Sequence, residues 1–338
     1  MVKEITQLKK LIDNGSKKVV ITTHRGPDGD AMGSSLALFH LLRQLGHSVS
    51  IIVPNAYASF LHWLPRNKEV IIYEDNKQKA EILTANADLL FFLDFSEITR
   101  VKPYDKAVLN SSAMKIMIDH HQDPDTSIAD LIFSDTLSSS TAELLYRIID
   151  KMKMSSFINK NIAECLYVGI MTDTGSFKYN STSANTHLII AKLINAGAEN
   201  AKIHDLIYDN FSANRIKLLG YCINEKLLIY PQNNAAIISL NAEELKRFNF
   251  KKGDTEGVVN YALAIKGVRF AAFIAEKDGM VKLSLRSKGT FKVNEIANKY
   301  FSGGGHSNAS GGVSKSSVKE TITMVEKIIN EYKNELNN

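Results

Sequence analysis

The hydrophobic residues in the first part of the chain form short continuous runs, separated by stretches in which apolar residues recur with helical spacing. Short continuous runs are typical of strands buried on both faces, and spacing of three or four is typical of helices. Strands are predicted at 18–23, 49–53, 70–73, 89–93 and 115–118, and helices at 1–14, 38–45 and 77–85. This alternation predicts an α/β domain with a mostly parallel sheet.

The pattern becomes helical after the fifth strand, and strand signals return only near the last third of the chain. Helices are predicted at 140–154, 158–171 and 316–332, a strand at 235–240, and a hairpin pairing 270–276 with 281–286. Asp278-Gly279 suits the tight turn of that hairpin. We therefore predict a catalytic domain over 1–195, a helical connector over 196–230 and a smaller α/β domain over 231–338.

Composition leaves the class of protein open but excludes several kinds. With 338 residues, 44% of them hydrophobic, the chain is long enough for two cores. A net charge of +5 permits an anionic substrate but is too small for a dedicated duplex-binding surface. Cys165 and Cys222 are isolated and fit no paired metal motif. Without a signal-peptide pattern or an apolar run long enough to span a bilayer, a cytoplasmic location is expected.

Ionisable residues stand where four of the predicted elements end. In chain order they are His24, Asp28 and Asp30; Asp94; Asp119, His120 and His121; and Asp173. Taken singly, each fits an ordinary turn or helix cap, and Asp30 or Ser34 is a candidate N-cap. Taken together they indicate a shared site, because the carboxyl ends of parallel strands lie at one edge of the sheet.

A site of imidazole and carboxylate ligands suits a hard or borderline divalent ion, with Mn²⁺ or Mg²⁺ favoured over a thiolate-bound zinc. One carboxylate bridging two such ions would make a two-metal hydrolase.

A second candidate site is the glycine-rich stretch 301–312, which contains Gly303-Gly304-Gly305-His306. Consecutive glycines let backbone N–H groups approach a phosphate closely, although a flexible linker has similar composition. The stretch is not a P-loop, since no Gly-Lys-Ser/Thr closes it. Arg286, at the end of a predicted strand, is either a bidentate phosphate ligand or an exposed strand-end arginine.

Read together, these motifs resemble the DHH/DHHA1 phosphoesterase family. The resemblance rests on motifs in the family's order: 23–30, Leu93-Asp94, Asp119-His120-His121, Thr172-Asp173 and the glycine motif 303–311. Any one motif is weak evidence, but five in the family's order are strong evidence, and together they cover nearly the whole chain. The compact length is similar to the oligoribonuclease/PAP phosphatase (nanoRNase) type within that family.

The resemblance also implies roles for particular residues. It places one metal ion at His24, Asp28 and Asp94, and another at Asp30, Asp94, His120 and Asp173. Asp94 would then bridge the two ions, His121 would face the substrate phosphate, and Asp119 would orient a histidine. Substrate binding is implied for Arg286, Gly303, Gly304, Gly305 and His306. A homodimer is compatible with the family.

The implied activity is hydrolysis of very short RNA to mononucleotides and removal of the 3′-phosphate of 3′-phosphoadenosine 5′-phosphate (PAP). The nearest alternative is a cyclic-dinucleotide phosphodiesterase acting on c-di-AMP or its linear product, which needs the same motifs. A small-anion pyrophosphatase and a RecJ-like long-strand exonuclease fit less well. From another class, a nucleotide-binding protein without turnover is the remaining alternative.

Overall fold

The computed structural model describes residues 2–277 and 279–337. The chain forms two compact units, the first ending at Asn210 and the second beginning at Phe211. Each unit contains a six-stranded sheet with helices, which confirms the predicted α/β class. The finer division at 195 and 230 stays a prediction. Within the described residues, none of the helices combines the length and apolarity needed to cross a membrane.

The first unit is a parallel sheet with helices on both faces. Its strands are β1 (Lys18–Thr23), β2 (Ser48–Val53), β3 (Ile71–Ile72), β4 (Leu89–Leu93), β5 (Met114–Asp119) and β6 (Leu131–Ser134). Its helices are α1 (Val2–Asp13), α2 (Gly29–Gln44), α3 (Lys77–Ala85), α4 (Asp105–Asn110), α5 (Thr141–Lys151), α6 (Lys160–Asp173), α7 (Ala184–Asn195) and α8 (Asn200–Tyr208). The predicted parallel sheet is confirmed, while β6 was not predicted and β3 is shorter than its apolar run.

In the strand order β3-β2-β1-β4-β5-β6, β2 and β4 lie on opposite sides of β1. Ile21 of β1 lies opposite Ile51 of β2 and opposite Phe91 of β4, and all five strand pairs are parallel. The order of the strands therefore reverses between β1 and β4. Loops that leave the carboxyl ends of strands at such a point diverge and open a crevice.

The second unit is built on a mixed sheet. Its strands are β7 (Leu227–Tyr230), β8 (Ala235–Leu240), β9 (Phe270–Lys277), β10 (Met280–Ser287), β11 (Gly304–His306) and β12 (Ala309–Ser314). Its helices are α9 (Ala213–Glu225), α10 (Ala242–Arg247), α11 (Val258–Leu263), α12 (Val293–Phe301), α13 (Val318–Glu331) and α14 (Lys333–Asn337). The order is β11-β12-β10-β9-β8-β7, with only the β8–β9 pair parallel.

Pairing of β9 with β10 confirms the predicted hairpin, although Asp278 of its predicted turn lies outside the described residues. The flexible linker considered for the glycine-rich stretch was wrong, because Gly304–His306 and Ala309–Ser314 pair as antiparallel strands. The stretch is therefore part of the sheet and not an open loop.

Helices α2 and α6 approach closely because glycines face each other where they cross. A Cβ atom on Gly33 would lie 2.5 Å from the carbonyl oxygen of Cys165 and 2.9 Å from the backbone nitrogen of Gly169. A Cβ atom on Gly169 would in turn lie 2.5 Å from that of Ala142 on α5. The first turn of α2 is thereby held near the first turn of α5 and the end of α6, which are the helix ends that carry ionisable residues.

We predict that Gly33→Ala lowers the free energy of unfolding by about 1–3 kcal/mol, because the methyl group meets backbone atoms that cannot rotate away. Urea denaturation followed by circular dichroism measures this. Gly220→Ala is the matched control, since Gly220 is exposed on α9 and its Cβ would meet nothing within 4 Å. It should raise stability by up to about 1 kcal/mol. An unchanged urea midpoint for Gly33→Ala would contradict the account of this crossing.

Candidate metal centre

His24 is the first residue after β1, and its ring is oriented by the backbone beside it. Its Nδ1 lies 3.1 Å from the carbonyl oxygen of Arg25, which can only accept, so Nδ1 carries the proton in the neutral ring. Nε2 then points to two carboxylates, 3.4 Å from Asp94 Oδ2 and 3.8 Å from Asp28 Oδ1. This leaves Nε2 available as a metal donor.

Asp28 and Asp30 cap two different helices. Asp28 is the N-cap of α2, where its Oδ1 accepts the backbone N–H groups of Asp30 and Ala31, both at 3.1 Å. Asp30 caps a distant helix instead, since its oxygens accept the N–H groups of Thr141 at 2.6 Å and Ala142 at 2.9 Å at the start of α5. The capping alternatives considered for Asp30 and Ser34 within α2 were wrong, because Asp28 fills that position.

Asp94 lies at the centre of the cluster. It follows β4 directly, is 2% exposed, and has a left-handed backbone with φ of 64°. Its Oδ1 accepts the hydroxyl of Thr141 at 3.0 Å and lies 3.6 Å from His120 Nε2. Since Oδ2 faces His24, the two oxygens of one carboxylate face two different imidazoles.

The residues of the triplet at the end of β5 have two different roles. Asp119 is fully buried and its Oδ1 lies 2.7 Å from His121 Nδ1, so this carboxylate fixes the ring of its neighbour. His120 turns the other way, with Nδ1 3.3 Å from the carbonyl oxygen of Ser138 and Nε2 3.3 Å from Asp173 Oδ2. Asp173 is the last residue of α6.

The structure thus brings together all eight predicted residues of the first unit. Donor atoms of seven of them form overlapping groups within 4.8 Å: His24, Asp28 and Asp94; Asp30, Asp94 and His120; and Asp94, Asp119 and His121. The eighth, Asp173, lies 3.3 Å from His120 Nε2. Asp94 belongs to every one of these groups. Buried carboxylates and imidazoles at this spacing fit divalent cations, because the anionic oxygens otherwise repel one another.

The pKa shifts show how the cluster is balanced by protons. Burial raises the pKa of Asp30 well above its ordinary value, and the nearby carboxylates of Asp94 and Asp173 raise it further. Burial lowers the pKa of His24, but hydrogen bonds to the carboxylates of Asp28 and Asp94 outweigh it and raise the pKa to about 10. Burial raises the pKa of Asp94, yet its contacts with His24 and the other imidazoles prevail and lower it. A proton on His24 therefore takes the place of a cation beside Asp28 and Asp94, and the raised pKa of Asp30 acts in the same direction.

In the second unit, Arg286 and His306 flank Ala309 in one row across the sheet. Ala309 of β12 pairs with Arg286 of β10 on one side and with His306 of β11 on the other. Directly opposed residues of antiparallel strands place their side chains on the same face. The small side chain of Ala309 separates an arginine from a histidine, an arrangement that suits an anionic group.

The glycines of this hairpin serve strand packing. A Cβ atom on Gly305 would lie 2.7 Å from the carbonyl oxygen of Ala309, and one on Gly303 would collide with the backbone of Gly311. Gly304 differs, because a Cβ atom there would meet nothing within 4 Å. Asn308 donates its amide to Ser287 Oγ at 2.8 Å and to neighbouring carbonyls, so this side chain also serves the packing of the hairpin.

Sequence reasoning missed the turn at 138–141, which contacts three of the carboxylates and imidazoles. Ser138 orients His120, and Thr141 contacts both Asp30 and Asp94. The available signal was the run Ser138-Ser139-Ser140-Thr141 before an amphipathic helix, which is typical of a helix N-terminus. Nothing in that run indicated that its N–H groups would meet a carboxylate from α2.

Comparison with known proteins agrees with this geometry. The profile of the DHH family, N-terminal domain, matches residues 18–170, and that of the DHHA1 domain matches 233–334. A Streptococcus mutans protein named "Probable bifunctional oligoribonuclease and PAP phosphatase NrnA" is 31% identical over 296 residues, covering 87% of this chain and 88% of its own. A Bacillus subtilis protein named "Bifunctional oligoribonuclease and PAP phosphatase NrnA" is 30% identical, and the alignment covers 87% of this chain and 88% of that protein.

Among solved structures, the crystal structure of an exopolyphosphatase-related protein from Bacteroides fragilis has a TM-score of 0.95 and 40% identity. The alignment covers 99% of this chain and 98% of that chain.

We predict that Asp94→Asn weakens Mn²⁺ binding by about a hundredfold or more, since even partners outside the ligand set cost about 10–100-fold. Asparagine keeps the shape and tolerates the left-handed backbone, so the loss reports the charge. Isothermal titration calorimetry with Mn²⁺ measures it. Asp88→Asn, at the opposite end of β4 where Asp88 accepts the N–H of Lys18 at 2.7 Å, is the control and should bind Mn²⁺ like wild type. Equal losses in both variants would argue against a metal centre at Asp94.

We also predict that Mn²⁺ affinity rises with pH. With a pKa of about 10, His24 is protonated at neutral pH in the metal-free protein, so binding must release that proton. The raised pKa of Asp30 acts in the same direction. Release of one proton gives roughly a tenfold gain per pH unit, here between pH 6 and 8. Calorimetry in buffers of different ionisation enthalpy counts the protons, and a count of zero would refute this balance.

Proposed function

Because the chain belongs to the DHH family and carries a DHHA1 domain after its DHH domain, we propose that it is a metal-dependent phosphoesterase acting on very short substrates. It would hydrolyse RNA oligonucleotides of a few residues to mononucleotides and remove the 3′-phosphate of PAP. The observation that carries this proposal is the buried cluster centred on Asp94. Relatives that align over most of the chain are named for these two activities.

Two divalent ions would be held by overlapping ligand sets. One set is His24, Asp28 and Asp94, and the other is Asp30, Asp94, His120 and Asp173. The contacts of both Asp94 oxygens with different imidazoles support a bridging position. Mixed imidazole and carboxylate donors favour Mn²⁺, with Mg²⁺ as the second candidate. When bound, such ions supply Lewis acidity toward the phosphoryl group and lower the pKa of a water molecule.

His121 has the most exposed of the three imidazoles in the cluster and could therefore reach a substrate. Its side chain is 18% exposed, against 7% for His24 and 6% for His120. Asp119 accepts a hydrogen bond from Nδ1 of His121, which holds the ring and leaves Nε2 for a phosphate oxygen. Asp119 would stabilise the imidazolium when His121 donates a hydrogen bond to the phosphoryl group.

The second unit would bind the remainder of the nucleotide. Arg286 offers a guanidinium fork suited to a phosphate, and His306 offers a further donor in the same row. Among Gly303, Gly304 and Gly305, the open space at Gly304 favours it for close approach of a ligand to the backbone. Short single-stranded RNA and PAP share an anionic phosphate at a distance from the scissile one, and this row would recognise it.

The test is product formation from a panel with Mn²⁺ and with EDTA. The substrates are a 5′-labelled RNA dinucleotide, a 24-mer RNA, PAP and c-di-AMP. We expect metal-dependent turnover of the dinucleotide and PAP, lost in Asp94→Asn and retained in Asp88→Asn. Preferential turnover of c-di-AMP would support the proposed metal chemistry but show that the substrates are cyclic dinucleotides. Binding of PAP without any metal-dependent product would indicate a nucleotide-binding protein instead.

The same assay tests the second unit. Arg286→Lys should raise KM for the dinucleotide about tenfold with kcat unchanged, the loss expected for one charge-assisted hydrogen bond of roughly 1.5 kcal/mol. Arg247→Lys on α10 is the control and should leave KM unchanged. If both variants behave like wild type, Arg286 has no part in binding this substrate.

A further inference from the structure

We propose that Glu143 is a positioning residue that holds the turn 138–141 against the metal centre. Here the metal centre means the cluster of His24, Asp28, Asp30, Asp94, His120 and Asp173. The inference deepens the proposed function and rests on it for the activity readout only. It does not need the substrate assignment, because metal affinity can be measured without any substrate.

Glu143 is a buried carboxylate that the proposed chemistry does not use. It is 2% exposed in the first turn of α5, and its Oε2 accepts the hydroxyls of Ser139 at 2.5 Å and Thr186 at 2.8 Å. Both donors are neutral, so burial of this carboxylate is costly unless the hydrogen bonds are well placed. A helix that needed only a packed core would be better served by an apolar residue at this position.

The turn that Glu143 holds makes direct contact with three candidate metal ligands. The carbonyl oxygen of Ser138 lies 3.3 Å from His120 Nδ1. Thr141 donates its backbone N–H to Asp30 at 2.6 Å and its hydroxyl to Asp94 at 3.0 Å. Ser139, the residue bound by Glu143, lies between these two contact points in the chain. A shift of the turn would therefore move the partners of three ligands at once.

Glu143 also links this turn to the segment that follows Asp173. Thr186 belongs to the capping box at the start of α7, the next helix after α6. Ser139 and Thr186 share one oxygen of Glu143, so the turn and the start of α7 are fastened to the same atom. Arg147, one helical turn further on, donates to the hydroxyl of Ser138 at 2.7 Å and supports the same turn from its other side.

The consequence for His120 is chemical as well as geometric. A carbonyl oxygen can only accept, so Ser138 keeps the proton on Nδ1 and leaves Nε2 unprotonated in the neutral ring. Nε2 faces Asp30, Asp94 and Asp173 at 3.9, 3.6 and 3.3 Å. Partners that fix the tautomer of a ligating histidine typically change metal affinity about 10–100-fold. Glu143 acts on this step through the turn and touches no ligand itself.

The experiment compares Glu143→Ala, Glu143→Gln and Glu164→Ala. Glu164 is the matched control, a glutamate of α6 in the same unit that is 5% exposed and whose ion-pair partner is Lys160, at 3.9 Å on the same helix. Mn²⁺ affinity is measured by calorimetry, and kcat and KM are measured on the RNA dinucleotide. Unfolding midpoints are recorded for all variants.

For Glu143→Ala we expect Mn²⁺ affinity and kcat to fall about 10–100-fold, with KM unchanged. Glu143→Gln keeps an oxygen that can accept both hydroxyls and should restore Mn²⁺ affinity and kcat. Glu164→Ala should bind Mn²⁺ like wild type. If Glu143→Ala binds Mn²⁺ like wild type, or if Glu164→Ala weakens binding equally, the positioning role is overturned.

Two further outcomes are separable. Should wild type cleave no substrate of the panel while Glu143→Ala still binds Mn²⁺ more weakly, the proposed function fails and the positioning role stands. Should Glu143→Ala not fold, the experiment uses Ser139→Ala and Thr186→Val in its place, since each removes one hydrogen-bond donor to Glu143. Each is then expected to weaken Mn²⁺ binding several-fold, and wild-type affinity in both would overturn the inference.

Discussion

The mutual repulsion of buried carboxylates is the constraint on which the first unit depends. Asp30 and Asp94 are almost completely buried within reach of the same imidazole, and Asp173 adds a third negative group. Three means offset the repulsion before any ion is present: backbone N–H groups at the start of α5, imidazoles at strand ends, and bound protons. The sheet and helices arrange these means around one point, which is why the site needs so much of the unit.

Much of this centre follows from the sequence because parallel strands end at one edge. His24, Asp94 and the triplet at 119–121 each stand directly after a buried strand, and the rule for α/β sheets brings such residues together. The shape of the site could not be predicted in the same way. Asp30 accepts N–H groups from a helix that starts more than a hundred residues later, and only the folded chain shows that contact. The strand formed by Gly304 and Gly305 could not be predicted for another reason, since it depends on pairing with β12 and not on local preference.

Packing and chemistry are connected through the glycines of α2 and α6. The short distance between these helices places Asp30 beside the start of α5, because Gly169 of α6 would clash with both Ala142 and the Asp30 carboxylate if it carried a Cβ atom. A change that separates the helices would therefore lengthen the N–H contacts that stabilise Asp30. Stability and metal affinity should therefore change together at this crossing. A loss of stability without a loss of metal affinity would mean that the N–H contacts to Asp30 survive when the helices separate.

The left-handed backbone of Asp94 reverses the usual ranking of conservative substitutions at this position. With φ of 64°, the residue is in a region that aspartate and asparagine tolerate better than longer side chains do. Glutamate would preserve the charge, but it would strain the backbone and push its carboxylate into space occupied by the facing imidazoles. Asparagine would preserve the backbone and lose the charge. An evolving lineage that gave up this chemistry could therefore retain the fold through asparagine, and a relative with asparagine here would be expected to be a folded protein with a different task.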